Sequence, residues 1–370
     1  MAEHRNKVFI AVTLALVLAI IVSTYALVKS SVEEEGYTIA VVVEDSQNER
    51  WNSFRMGAES AAMDRGVMVD FVNTSGFGNL EDELKVVDKQ VQSGADAVVT
   101  ELVRSKSTAE SIKDISGNVV LALTGTAAET DIDIEGKFAT ITPDNYQIGR
   151  ALGNEVLLRH QNGLSDIRIG IICKRTTIYS TRDKINGLYD ILDVKKTAAS
   201  WCVVLDDEEP DELLKKRSPN IQMFKNDLNE KYSYLLKMVY RDNPVDVIIA
   251  LDDESLQVAA ELFGEIEDAY EANSLAYKYK LDENGKLLPS YELYGEGISV
   301  RNISYLDSGR IVSMIVPNEF SMGYRAVEKA VSKLDHKLSP MTDDTVEYRV
   351  INQENMFKDD NQKYLFTTMQ

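Results

Sequence analysis

Beyond residue 36 the apolar positions fall into two recurring patterns. Short runs at 38–43, 67–72, 96–100 and 118–123 are rich in Val and Ile and do not alternate with polar residues, which predicts strands buried on both faces. Between them, 51–65, 79–93 and 105–115 carry helical spacing. In 79–93, Leu80, Leu84, Val87 and Val91 share one face and Gly94 stands at the stop. Strand and helix in alternation predict a parallel sheet covered by helices on both sides. The pattern then restarts, with strands at 167–172, 198–204, 246–251 and 291–294 and helices near 144–160, 181–192, 227–241 and 254–270. Two doubly wound α/β lobes are expected, with no Pro- or Gly-rich linker between them. The stretch 309–335 reads as a strand, a break at Pro317-Asn318 and a long helix, and 346–352 as a last strand. The charged, weakly periodic stretches 205–225 and 271–290 read as surface excursions.

The N-terminus differs from all of this. Residues 8–28 are uncharged and apolar for about 20 residues, the length of a membrane-spanning helix. A basic leader (1–7) precedes the run, and a spacer (29–36) with glutamates at 33–35 follows. The positive-inside rule therefore leaves the leader in the cytoplasm and the remainder outside. A cleaved signal peptide is the competing reading. The length of the run and the poor cleavage site at Thr24-Tyr25-Ala26 oppose it.

Composition narrows the chemistry. A chain of 370 residues is long for a single core, and a net charge of -20 argues against a nucleic-acid partner, which needs clustered Lys and Arg. The three histidines, His4, His160 and His336, stand alone, which leaves no His-based metal or nucleophile site. Cys173 and Cys202 lie in strand-like runs, compatible with a disulfide between adjacent strands or with two buried thiols. Glycine-rich phosphate loops are missing, and no cofactor is expected.

In open α/β sheets, ligands bind beyond the carboxyl ends of the strands. Those ends are polar here. Asn48, Arg50 and Trp51 follow the first strand, and Asp144 and Asn145 follow the strand that closes the first half. Arg182 follows the strand at 167–172, Asp252 and Asp253 follow 246–251, and Glu296 follows 291–294. Amides, carboxylates and guanidiniums beside an aromatic ring suit a polyhydroxylated solute. Each residue also has a plainer reading. Trp51 is equally placed to be core, Arg182 to be a surface residue, and Asp252 and Asn145 to serve helix starts, with Asp253 available as an alternative cap. Asp252 and Glu296 are the one carboxylate pair that would suit a glycoside hydrolase, but no nucleophile or metal cluster accompanies them.

Five segments in order carry a resemblance: the first strand with its aromatic and "FRMGAESAAMDRG", then "PDNYQIGRALG", "TRDKINGL", "ALDDES" and "SMIVPNEFSMGYRAVEKAV". Together, over roughly 37–358, they resemble the type I periplasmic sugar-binding proteins of the ribose/galactose class. They equally resemble the ligand-binding part of repressors of the lactose-repressor class, although an apolar helix stands where a DNA-binding headpiece would be. The resemblance implies two lobes, 37–143 with 318–344 and 144–317 with 345–370, closing by hinge strands over a small polar ligand. It implies ligand contacts at Asn48, Trp51, Asn145, Arg182, Asp252 and Glu296, with Arg50 replacing a usual aromatic. It also implies a membrane partner, either an ABC-type permease or a sensor histidine kinase. Pro317 replaces the late crossover glutamine and Thr124-Gly125 a frequent arginine, so the pattern of a particular sugar does not carry over. Arg50 with Arg182 and Arg104 would favour a carboxylate or phosphate on the ligand; Asp252 and Glu296 oppose it.

Overall fold

The computed structural model describes residues 36–77, 79–126, 137–161, 164, 167–194, 198–206, 212–218, 220–224, 231–271, 280–281, 287–288 and 291–366, with Leu16, Val17, Ala19, Ile20 and Ser23. The expected anchor at 8–28 therefore lies, but for those five positions, outside the described residues. Among the described residues no helix is long and apolar enough to cross a membrane.

The chain begins as β1 (Thr38–Val42), α1 (Trp51–Arg65), β2 (Met68–Phe71), α2 (Leu80–Gln92), β3 (Ala97–Thr100), α3 (Ala109–Asn118), β4 (Val120–Thr124) and β5 (Phe138–Pro143). It continues as α4 (Asn145–Arg159), β6 (Ile169–Cys173), α5 (Tyr179–Val194), β7 (Ala199–Val204), α6 (Glu212–Arg217), β8 (Ile221–Met223), α7 (Tyr232–Asp242), β9 (Val247–Ala250) and α8 (Asp253–Glu271). Then follow β10 (Lys280–Leu281), β11 (Leu287–Leu288), β12 (Glu292–Glu296), α9 (Val300–Asp307), β13 (Ser313–Pro317), α10 (Glu319–Asp335), β14 (Asp344–Val346), β15 (Tyr348–Asn352) and α11 (Asp359–Leu365).

These strands form two sheets, in the orders β14-β5-β4-β3-β1-β2 and β15-β13-β12-β9-β6-β7-β8. Every pairing in them is parallel except β13 with β15. The central strands are buried along their whole length because helices cover both faces. In the second sheet Ile171, Cys173, Cys202 and Val204 enter one core, and Ile172, Trp201 and Val203 enter the other. Cys173 and Cys202 thus share a face as buried thiols, and no disulfide joins them. β2 departs from the expected buried strand: at the sheet edge its residues alternate between half-buried and exposed. The stretch 205–225 is also more than an excursion, because β8 adds there to the sheet edge beside β7.

The chain passes between the sheets three times: after β5, after β13 and after β14. Val346 still pairs with Pro143 in the first sheet, so the last passage falls at Glu347, slightly later than the expected boundary after 344. The Asn318 amide donates to the Glu347 carbonyl at 2.9 Å and ties two of the passages together.

Each lobe also holds one closely crossed helix pair. A Cβ on Gly149 or Gly187 would collide with the Lys184 or Tyr146 carbonyl oxygen, and one on Gly57 or Gly323 with that of Phe320 or Phe54. Only glycine permits this approach of α4 to α5 and of α1 to α10. All four helices begin at the same gap between the sheets.

Candidate functional site

That gap is a cavity of about 110 Å³, walled by residues from both sheets. At a water's share of about 30 Å³ in the liquid, this is space for about four waters.

On the first lobe, the exit from β1 needs no turn glycine because side chains build the turn. Asp45 Oδ1 accepts the Gln47 amide (3.1 Å) and Asn48 Oδ1 accepts the Arg50 amide (3.0 Å). Arg50 then reaches across to Glu101, with Nη2 3.0 Å from the carboxylate, while its guanidinium lies 4.1 Å from the centre of the Trp51 ring. Trp51 makes an edge contact with Phe54 as well. One face of the Trp51 ring is therefore taken by Arg50, and its expected role as a stacking platform is reduced to whatever that arginine leaves uncovered. The loop bearing Glu101 is held from behind by buried Glu83, which accepts from Thr100 Oγ1 at 2.9 Å and the Val103 amide at 3.0 Å. Burial pushes the Glu83 carboxyl up to about 7 despite these bonds.

On the second lobe, Asp252 serves the helix start. One carboxylate oxygen accepts the Ser255 amide (2.9 Å) and caps α8; the other accepts the Lys174 amide (2.7 Å). Asp253, considered above as the cap, instead accepts from the Ile298 and Ser299 amides at 2.6 and 2.9 Å and fixes the loop into α9. Glu296 pairs with Lys184 at 2.7 Å, and Lys184 also donates to the Leu251 carbonyl at 3.0 Å. Burial raises the Glu296 carboxyl, against the pull of Lys184. Asn145 is free of capping duty because Asp144 Oδ1 accepts the Gln147 amide at 3.0 Å. Its amide nitrogen donates to Thr142 Oγ1 at 3.0 Å, which leaves Oδ1 buried without a hydrogen-bond donor among the described residues.

Of the residues chosen from the sequence, Asn48, Arg50, Trp51, Asn145, Asp252 and Glu296 line one cavity. Arg182 does not. Thr181 and Lys184, three positions apart on α5, face the cavity, and Arg182 stands one step round the helix with its guanidinium 5.1 Å from the Tyr179 ring. Arg104 is exposed and also off the walls. The arginine cluster that would suit an anionic ligand is thus not assembled. Sequence reasoning missed Glu44, Glu101, Lys174, Arg175, Lys184 and Glu319; Lys174-Arg175 directly follows β6 and would have been found by applying the strand-end rule one residue earlier.

Cross-lobe contacts close the cavity mouth. Glu44 accepts from Arg175 at 2.7 and 2.9 Å and from Lys174 at 3.1 Å; Arg175 also pairs with Asp206 and Lys174 with Glu254. Burial alone would raise the Glu44 carboxyl, but these cations hold it below its ordinary value. Nearby, the first turn of α5 is capped by the opposite lobe. Ser105 Oγ accepts the Tyr179 amide (3.1 Å) and Thr126 Oγ1 the Ser180 amide (3.3 Å). The hydrolase reading fails here, because Asp252 is engaged by backbone amides and Glu296 by Lys184. Among the described residues no group of His, Cys, Asp or Glu is placed to hold a metal ion.

Comparisons with known proteins agree with this architecture. No curated protein sequence is detectably similar to the chain. Among solved structures it is similar to a carbohydrate transporter solute-binding protein from Agrobacterium radiobacter in complex with D-arabinose: 15% identity, TM-score 0.68, covering 90% of this chain and 100% of that one. It is similar to GanP, a glucose-galactose binding protein from Geobacillus stearothermophilus, at 17% identity and TM-score 0.64, covering 88% and 100%. A XylFII-LytSN complex matches at 15% identity and TM-score 0.64, covering 86% and 98%. The periplasmic binding protein domain family matches residues 39–338. Family and structural neighbours alike are binding proteins rather than enzymes. With two doubly wound sheets, three passages between them and a polar cavity in the gap, the chain belongs to the periplasmic binding protein family and binds a solute without transforming it.

Proposed function

We propose that this is an extracytoplasmic receptor for a small polar solute, a sugar or sugar derivative, which it presents to an ABC-type importer. The observation that carries this reading is the polar cavity between the two sheets, lined by amides, carboxylates and paired cations, each able to meet a hydroxyl as donor or acceptor. The arabinose-bound and glucose-galactose-binding neighbours support the solute class. We assign 37–143 with 318–346 to one lobe, 144–317 with 347–370 to the other, and 8–28 to a membrane anchor. The solute settles in the open gap and the three passages bend. Closure then brings Glu44 onto Lys174 and Arg175, and the closed form prevails only through contacts absent from the open one.

A second reading is a ligand sensor coupled to a membrane histidine kinase. The apolar 8–28 segment, which holds the receptor at the membrane, favours it, and so does the XylFII neighbour seen in complex with LytSN. Neighbouring genes separate the two: permease and ATPase subunits accompany an importer, a kinase and response regulator a sensor.

A thermal-shift screen of the full chain against mono- and oligosaccharides tests the solute class. A cognate sugar at 100 times its Kd is expected to add about 2.7 kcal/mol to stability, and Asn145→Ala to diminish that gain. Lack of a shift with every saccharide would overturn the sugar reading. With the best sugar in hand, Glu44→Gln is expected to weaken binding roughly ten- to hundredfold, since a charge-assisted contact of about 1.5–3 kcal/mol is made only on closure. An unchanged Kd by calorimetry would show that the Glu44 bridge does not couple to the ligand.

A further inference from the structure

The cavity walls carry eight carboxylates against four cations, and every one of those cations is already engaged. Arg50 is held by Glu101, Lys184 by Glu296, and Lys174 and Arg175 by Glu44 with Glu254 and Asp206. Three acceptor atoms in these walls are buried with no donor among the described residues: Glu319 Oε2, Glu296 Oε2 and Asn145 Oδ1. Glu319 and Asn145 are each 6% exposed. Buried acceptors in this condition need a donor from elsewhere, and the unbalanced charge says of which sign.

We propose that the solute carries a positively charged amino group, as an amino sugar does, and that Glu319 is the residue that selects it. The inference rests on the sugar-binding reading above and names its chemical class. A sugar hydroxyl brings one O–H donor, whereas an ammonium brings three N–H donors and no lone pair, which is what a set of orphan acceptors accommodates. Arg50, Glu101, Glu296 and Asp253 are the charged groups that act on Glu319, three acidic against one basic. Burial among them pushes its carboxyl up to about 8. A cation bound beside Glu319 favours its ionised form, and a neutral solute does not.

The test is isothermal titration calorimetry on the full chain with 2-amino and 3-amino hexoses, their parent hexoses and their N-acetylated forms. The best amino sugar is expected to bind about tenfold or more tighter than both its parent and its acetamide, since a charge-assisted bond is gained. In Glu319→Gln that ratio is expected to fall to about two or less, within the same principle. Parent hexoses that bind as tightly as amino sugars would overturn the inference and leave the sugar reading standing; absence of binding by any sugar would overturn both. An amino-sugar preference that persists in Glu319→Gln would overturn the assignment to Glu319. The comparison on the unaltered chain decides the charge of the ligand even where the variant fails to fold.

Discussion

Lys184→Met is expected to destabilise the chain by about 3–5 kcal/mol, the largest loss for any single side chain of the cavity wall. Lys184 is 4% exposed, and its ammonium is shared between Glu296 at 2.7 Å and the Leu251 carbonyl at 3.0 Å. Methionine keeps the volume of the lysine stem, so no cavity opens and the loss is electrostatic. It leaves a buried carboxylate uncompensated and a carbonyl without its donor. Glu296, whose carboxyl burial already raises, will respond by taking a proton, which caps the loss at this range. The double variant Lys184→Met/Glu296→Leu is expected to recover most of it, because a buried ion pair replaced whole by apolar groups is often neutral. Urea midpoints at constant slope for parent, single and double variants measure this directly. A single-variant loss below about 1 kcal/mol would mean that water reaches Glu296 and that the wall is wet at this point.

What could be read from the sequence depended on whether a pattern is local. The central strands were legible because burial on both faces leaves unbroken runs such as Ala97–Thr100 and Val247–Ala250. Edge strands obey other rules: β2 alternates and β8 is three residues long, so the first misled and the second escaped. Asn48, Arg50, Trp51, Asn145, Asp252 and Glu296 were found by one topological rule, that ligands gather at the carboxyl ends of strands. The rule names a segment but not a side chain. Around helix α5 the choice between Arg182 and Lys184 turns on helical phase, and the close glycine-mediated packing of α4 sets that phase. Likewise Asp252 and Asp253 are neighbours with interchangeable cap chemistry. Which one caps is decided by the Lys174 amide, 78 residues away, which claims the second oxygen of Asp252. The Glu44 bridge joins residues 130 and 131 positions apart and has no sequence period at all.

The same glycine contact supplies the second large effect. Gly187→Ala is expected to destabilise the chain by up to about 2 kcal/mol, and Gly264→Ala to stabilise it by up to about 1 kcal/mol, although both positions are helical. Alanine gains about 0.8–1.0 kcal/mol of helix propensity over glycine at either site. At Gly264 a Cβ meets nothing within 4 Å, so the gain stands. At Gly187 the Cβ would be driven into the Tyr146 carbonyl oxygen, a backbone atom that cannot rotate away. The helices must separate, and overpacking of this kind costs about 1–3 kcal/mol and occasionally more, enough to reverse the sign. Separation also shifts Thr181 and Lys184 on α5 relative to Asn145 on α4, so ligand affinity is expected to fall in Gly187→Ala and to hold in Gly264→Ala. Thermal melts with and without the cognate sugar read both quantities in one experiment. Equal, stabilising effects at the two positions would mean that α4 and α5 are not packed backbone to backbone, and the phase that brings Lys184 to the cavity would lose its cause.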